Sequence, residues 1–270
     1  MIALLFAVAL PIICVKDCAL EGRKKLEEPK VENRINEASA TRSPWIISNG
    51  AKILRDPTGK YFYTVSGRSS VVAVAESFVF RADALVQAST ADAADAQKMK
   101  AFIEALPPLT LPPVVDLVLI DDGSAQTAEV MNLLVRRNLL FRPDQHAETT
   151  KLTVQIGTKE FPKASAANPS DFAVLVRHKL TDEKRSLRVY GSENVIARLE
   201  SDGKTARLHI LNYGQRAVEG IRFRVRGKFN KANVNVFGVP AAKLADMLVD
   251  GDATEFTVSE MRQYAVVDLN

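Results

Sequence analysis

In residues 221–226, Ile-Arg-Phe-Arg-Val-Arg, apolar and cationic side chains take turns. A period of two puts Ile221, Phe223 and Val225 on one face of a strand and Arg222, Arg224 and Arg226 on the other, as in a half-buried antiparallel strand. From residue 187 onward the chain repeats short apolar segments of this kind, at 187–190, 195–199, 206–211, 217–226, 234–237, 254–258 and 264–269. Turn residues separate several of them: Asp202-Gly203, Tyr213-Gly214 and Asp250-Gly251. The pattern predicts an all-β module in the C-terminal third.

The earlier chain has a different rhythm. Residues 60–65 read as a strand after the turn Asp56-Pro57-Thr58-Gly59. Residues 71–87 carry helical spacing (Val72, Ala75, Phe78, Val79, Ala82, Leu85), and 91–106 a second helix with Met99, Phe102 and Ile103 on its apolar face. Four prolines within 106–113 make a stiff connector that no helix can cross. Residues 114–120 form an apolar strand, 121–124 an acidic turn, and 125–137 a helix with Val130, Met131, Leu134 and Val135 inside; an extended segment restarts at 139–141. Strand, turn, helix, strand is a βαβ unit and predicts a parallel sheet with a right-handed crossover. A further strand is expected at 151–156, and a helix from Pro169, in the favoured first position, to about residue 180.

This gives four regions. Residues 1–20 are expected to be a signal peptide or anchor, 21–43 a charged exposed segment, 44–190 an α/β domain with a flavodoxin-like parallel sheet, and 191–270 an antiparallel β-sandwich. The length of 270 residues suits two domains. At the N-terminus the apolar run is short for a membrane span and fits the apolar core of a secretory signal, although no Lys or Arg precedes it. The protein is therefore expected to be secreted or periplasmic, touching a membrane only through that segment. Cys14 and Cys18 are the only cysteines, so cleavage beyond Cys18 leaves no thiol for catalysis or metal binding.

A net charge of +4 is too small to imply nucleic acid, and stacking aromatics are not interleaved with the cations. The charge is nevertheless uneven. Residues 201–240 hold eight Lys/Arg against Asp202 and Glu219, whereas 241–270 hold Lys243 and Arg262 against six acids. The face of Arg222, Arg224 and Arg226 could engage an acidic glycan or protein partner, or keep an exposed strand from pairing edge to edge.

Asp121, Asp122 and Ser124 stand at the carboxyl end of a parallel strand, where open α/β sheets bind ligands. They are the candidate ligand-binding residues, and Asp122 or Ser124 also suits the N-cap of the following helix. No catalytic residue, metal site or cofactor is assigned. There is no G-x-S-x-G elbow, and no Walker lysine follows Ser66-Gly67-Arg68-Ser69-Ser70. His146, His178 and His209 lack metal-ligand spacing. Glu76, Asp83, Glu129 and Glu193 lie in structured segments but cannot be paired from sequence.

The runs 206–214, 218–225, 253–258 and 264–269 resemble the β-sandwich that closes many bacterial glycosidases. Residues 116–190 are similar to the class I glutamine amidotransferase-like α/β domain of such enzymes. The resemblance implies a non-catalytic version, because no cysteine lies beyond Cys18 for that family's nucleophile and residues 44–113 are too few for a glycosidase barrel. The leading expectation is an exported accessory protein that binds carbohydrate or an envelope protein. The alternatives are a carbohydrate-active hydrolase, with Asp121 and Asp122 best placed, and a structural or assembly module. A hydrolase should show a deep pocket at the end of strand 114–120. A binding module should show a groove with Trp45, Tyr61 or Tyr213 exposed.

Overall fold

The structure is a computed structural model that describes residues 10–35 and 42–270. In chain order the elements begin with β1 (Ile12–Cys14), β2 (Lys24–Lys25), β3 (Lys30–Ile35), β4 (Arg42–Ile47) and α1 (Gly50–Arg55). Next come β5 (Lys60–Val65), α2 (Arg68–Val79), β6 (Asp83–Ala88), α3 (Thr90–Glu104), β7 (Leu117–Ile120), α4 (Ala125–Arg136), β8 (Phe141–Asp144), β9 (Leu152–Val154) and α5 (Pro169–Leu180). The remainder is all strand: β10 (Leu187–Tyr190), β11 (Val195–Ser201), β12 (Ala206–Asn212), β13 (Val218–Arg226), β14 (Ala232–Val236), β15 (Leu244–Asp250), β16 (Ala253–Met261) and β17 (Tyr264–Leu269).

The α/β part and the all-β part are both present. The parallel strands do not share one sheet, as a flavodoxin-like body would require. One sheet runs β1-β6-β5-β2 and a second β8-β7-β9, with β3 and β4 pairing separately as a hairpin. The sandwich consists of two antiparallel sheets, β10-β13-β16-β15 and β11-β12-β17-β14. β10 pairs with β13, so the β-module begins earlier than residue 191.

Three segments differ from the periodicity reading. The helical spacing of 71–87 continues past the end of α2, yet Asp83–Ala88 is a strand paired with both β1 and β5. A central parallel strand is buried on both faces and shows an unbroken apolar run, which helical spacing also accommodates. The reversal between α2 and β6 is made by Arg81 at φ 58, with no glycine or proline to mark it. Within the expected exposed segment, Lys24–Lys25 pairs through its backbone with β5, and Leu26 beside it is buried. β15 was not expected at all: Asp246 at φ 52 and a register shift between Ala245 and Leu248 interrupt its alternation. Of the expected signal or anchor segment, residues 1–9 lie outside the described residues; Ile12–Cys14 forms an edge strand, and Cys14 is joined to Cys18 by a disulfide.

Within the sheet β11-β12-β17-β14, strands β11, β12 and β17 are buried on both sides, and their period of two divides the work. Ala206, Leu208, Ile210, Ala265, Val267 and Leu269 meet Ile221, Phe223, Val225 and Phe256 of the other sheet to form the sandwich core. The alternate positions Leu211, Tyr264 and Val266 join the core of the α/β part. Charged residues also fall on that second side. Arg207 forms a bidentate pair with Asp268 at 2.6 and 2.7 Å and donates to the carbonyl of Pro107 at 2.9 Å. Glu200 accepts from Arg81 at 2.6 Å, and His209 Nδ1 lies 2.7 Å from the Tyr264 hydroxyl. Burial opposes the charge of Glu200, but its contacts with His209 and Arg81 outweigh this and set its carboxyl below the usual range. The proline connector is thus held by side chains as well as by its own backbone bonds to Leu199 and Ser201.

Asn138 joins the two parts from the end of α4. Its φ of 54 ends the helix, and its amide mimics a strand edge, donating to the carbonyl of Val195 at 3.1 Å and accepting from the Ala197 N–H at 2.7 Å. Asn138→Ala should destabilise the protein by about 2–4 kcal/mol, from two lost buried hydrogen bonds and a strained left-handed backbone. Asn138→Gly keeps the backbone freedom and should cost less than the alanine. Urea unfolding checks this; equal losses for the two variants would show that the backbone conformation contributes nothing.

Candidate functional site

β7 delivers Asp121, Asp122, Gly123 and Ser124 to its carboxyl end, where α4 begins. Gly123 adopts φ 77, and the acids fold the turn by accepting from the backbone: Asp121 from the Gly123 N–H at 2.9 Å, Asp122 from the Ser124 N–H at 2.9 Å. The Ser124 hydroxyl accepts from the Thr127 N–H at 3.1 Å and caps α4. Hydrogen bonds from Thr127 and Ser124 pull the Asp122 carboxyl down to about 2. Arg55, from α1, grips Asp121 with two bonds of 2.8 and 2.7 Å. Burial opposes the Asp121 charge, but Arg55 outweighs it and holds the carboxyl below its ordinary range; the same bond raises Arg55. The carboxylate thus fixes α1 against the start of α4.

Arg55 is also the edge of a cleft of about 480 Å3 between α1, α4 and the end of β4. Trp45, Glu27, Lys52, Glu129 and Asn132 line it with Arg55. The Arg136 guanidinium lies 3.3 Å from the centre of the Trp45 ring, so one aromatic face is already covered by a cation. The cleft therefore offers an aromatic surface, two carboxylates, a lysine and an amide, with a volume in the range of small-ligand sites.

Behind one wall sits Glu76, on α2, with no exposed surface. Its Oε1 accepts from the Ser48 hydroxyl at 2.8 Å, the Asn49 N–H at 3.0 Å and the Tyr213 hydroxyl at 2.7 Å. Its Oε2 accepts from Asn49 Nδ2 at 2.9 Å and the Tyr63 hydroxyl at 2.8 Å. Asn49 passes this support outward, exchanging bonds of 2.9 Å with the backbone N–H and carbonyl of Glu27. The Glu27, Ser48 and Asn49 side of the cleft is therefore held by one buried carboxylate, which also ties in Tyr213 from the sandwich. Burial, with the nearby Glu76 charge, raises the Tyr63 and Tyr213 hydroxyls well above their ordinary range and keeps them protonated as donors. Tyr61 and Tyr213, expected as exposed aromatics, are buried; Trp45 alone of the three reaches the cleft.

Arg222, Arg224 and Arg226 share the outer face of β13 as their alternation predicts, and each meets an acid of β16 or of the turn that precedes it. Arg222 pairs with Glu255, Arg224 with Asp252 at 3.0 Å and Glu255 at 3.5 Å, and Arg226 with Asp252 at 3.4 Å. An anionic partner there would compete with these carboxylates. Among the described residues no group of three His, Cys, Asp or Glu could hold a metal ion.

The sequence placed the end of β7 but could not find the cleft beside it, because Glu27, Trp45 and Lys52 come from segments distant in sequence. One signal for Glu76 was present: it is the lone acid in an otherwise apolar and small-residue stretch from Val71 to Val79.

No protein-family model matches the chain, and no curated protein does. Among solved structures it is similar to alpha-L-fucosidase isoenzyme 2 from Paenibacillus thiaminolyticus, with a TM-score of 0.55 and 9% identity over 82% of this chain and 62% of that one. A cycloisomaltooligosaccharide glucanotransferase from Paenibacillus sp. (TM-score 0.22, 9% identity, 56% and 27% of the two chains) and an alpha-amylase from H. orenii (0.20, 11%, 81% and 55%) score too low to support an argument. The chain spans less than two thirds of the fucosidase it matches, and at 9% identity the likeness is one of fold alone.

Proposed function

We propose that this chain is an exported, non-catalytic accessory protein of glycosidase type that binds carbohydrate in the cleft beside Trp45. The observation that carries the reading is the cleft itself. An aromatic ring stands beside carboxylate, amide and ammonium groups, the combination that matches the apolar face and the hydroxyls of a sugar. The fold likeness to part of a fucosidase supports it. The α/β part is read as an amidotransferase-like body without its nucleophile, since no free cysteine exists among the described residues. The Cys14–Cys18 disulfide fits an oxidising compartment and so favours a secreted or periplasmic location.

A second reading, hydrolysis, has one specific observation behind it: Glu27 and Glu129 line the same cleft. The two readings separate on a panel of neutral oligosaccharides that includes L-fucose-terminated ones. Binding without turnover is the expected result. Trp45→Ala should weaken that binding about tenfold with the thermal midpoint checked alongside, and Trp45→Phe should retain most of it. Turnover that Glu129→Gln abolishes would favour the hydrolase. An array on which no glycan binds the native protein overturns the proposal.

A further inference from the structure

A second cleft lies at the amino end of the β8-β7-β9 sheet, where the end of α5 and the end of β13 come together. It has a volume of about 520 Å3, and Asp116, Lys151, Lys179, Lys184, Ser186 and Arg226 line it together with Thr149 and Thr150; the Thr150 hydroxyl donates to Glu148 at 3.0 Å. Four separate segments bring the cations there: the start of β9, the last turn of α5, the turn after it, and the end of β13.

We propose that this cleft binds a small ligand carrying phosphate or sulfate groups. The balance of partners is the argument. Lys179 is 3.4 Å from Glu160 at the rim, and Arg226 is 3.4 Å from Asp252 and donates to the carbonyl of Glu183. Asp116 is the carboxylate among the lining residues; Ser186 engages both its oxygens, at 3.0 Å from the N–H and 2.6 Å from the hydroxyl, and its single negative charge, which Arg226 also feels, stands against four cations. Lys151 and Lys184 have no ion-pair or hydrogen-bond partner among the described residues. Two ammonium groups without an acidic partner, beside two more cations, give the cleft a positive potential that favours an acceptor-rich anion over water.

The lining contains no aromatic ring, which separates it from the Trp45 cleft and from stacking recognition of a neutral sugar. Phosphate and sulfate oxyanions carry acceptors on every side, matching cationic donors that approach from four different segments. A volume of this size holds more than one such group, as in a diphosphate or a sulfated disaccharide.

The inference does not depend on the Trp45 cleft. Titration calorimetry on the full chain can use inorganic pyrophosphate, a sulfated disaccharide, and cellobiose as the neutral control. At least one of the two anions should bind, more tightly at low than at physiological ionic strength, and cellobiose should not compete. The double variant Lys151→Gln/Lys184→Gln should weaken binding by about tenfold or more, whereas Lys98→Gln, an exposed lysine on α3, should not change it. Pyrophosphate alone binding assigns a phosphorylated ligand; the disaccharide alone assigns a sulfated glycan. If neither anion binds, or if binding survives the double variant, the proposal fails.

Discussion

Replacing Glu76 with alanine is expected to destabilise the protein by about 4 kcal/mol or more, a large share of the total stability of an ordinary domain. Glu76 is fully buried and has no cationic partner among the described residues; five hydrogen bonds from Ser48, Asn49, Tyr63 and Tyr213 hold its carboxylate instead. It also sits in the last turn of α2, where the helix dipole disfavours an acid. Removing it leaves buried donors without an acceptor, each costing about 1–3 kcal/mol before relaxation. Ser48 and Tyr213, 3.1 Å apart, can recover part of that by bonding to each other. Glu76→Gln should cost less, about 2 kcal/mol, since one acceptor survives while its NH2 group faces donors. Urea unfolding measures both. A loss below about 1 kcal/mol for the alanine variant would mean that the five bonds only offset the cost of burying the charge.

The same residue has a functional consequence, because Asn49 carries the support from Glu76 to the backbone of Glu27 in the Trp45 cleft. A variant that remains folded should lose order on that wall first.

Legibility in the sequence followed the physics of each element. β13 could be read because one of its faces meets the sandwich core and the other the solvent, so its alternation is strict. β7, its acidic turn and α4 could be read because a buried strand, a capping pattern and a 3.6-residue stripe follow in order. β2 left no pattern, since two residues joined by backbone bonds need no apolar period. β12 was legible as a strand and misleading as a surface: in Ala-Arg-Leu-His-Ile-Leu the polar positions look solvated, yet Arg207 and His209 are buried against the α/β part. Asp121, Asp122 and Ser124 stand between the end of β7 and the start of α4, where the strand–turn–helix pattern puts them. Their partner Arg55 and the cleft beyond it depend on how α1 packs against α4, which no local period encodes.

That buried polar side of β12 sets the second large expectation. Arg207→Ala should cost about 3–5 kcal/mol, the usual penalty for removing one partner of a buried ion pair. Arg207 is 4% exposed, and Asp268 opposite it is 17% exposed. Losing the guanidinium strands the Asp268 carboxylate and frees the Pro107 carbonyl. The net worth of the intact pair is a different quantity, because both charges lose their hydration to make it. Arg207→Met combined with Asp268→Leu should therefore be far closer to the native stability than either single variant, and the cycle built from those two substitutions should give a coupling of about 3 kcal/mol or more. The pair's contribution then lies in placement. Arg207 is the side chain through which the middle of the sandwich holds the connector at Pro107, so the methionine–leucine protein should stay folded while protease cleavage within 106–113 becomes faster. Equal cleavage rates in the two proteins would show that the backbone bonds from Leu199 and Ser201, with the Arg81 bond to the Leu111 carbonyl, hold the connector without Arg207.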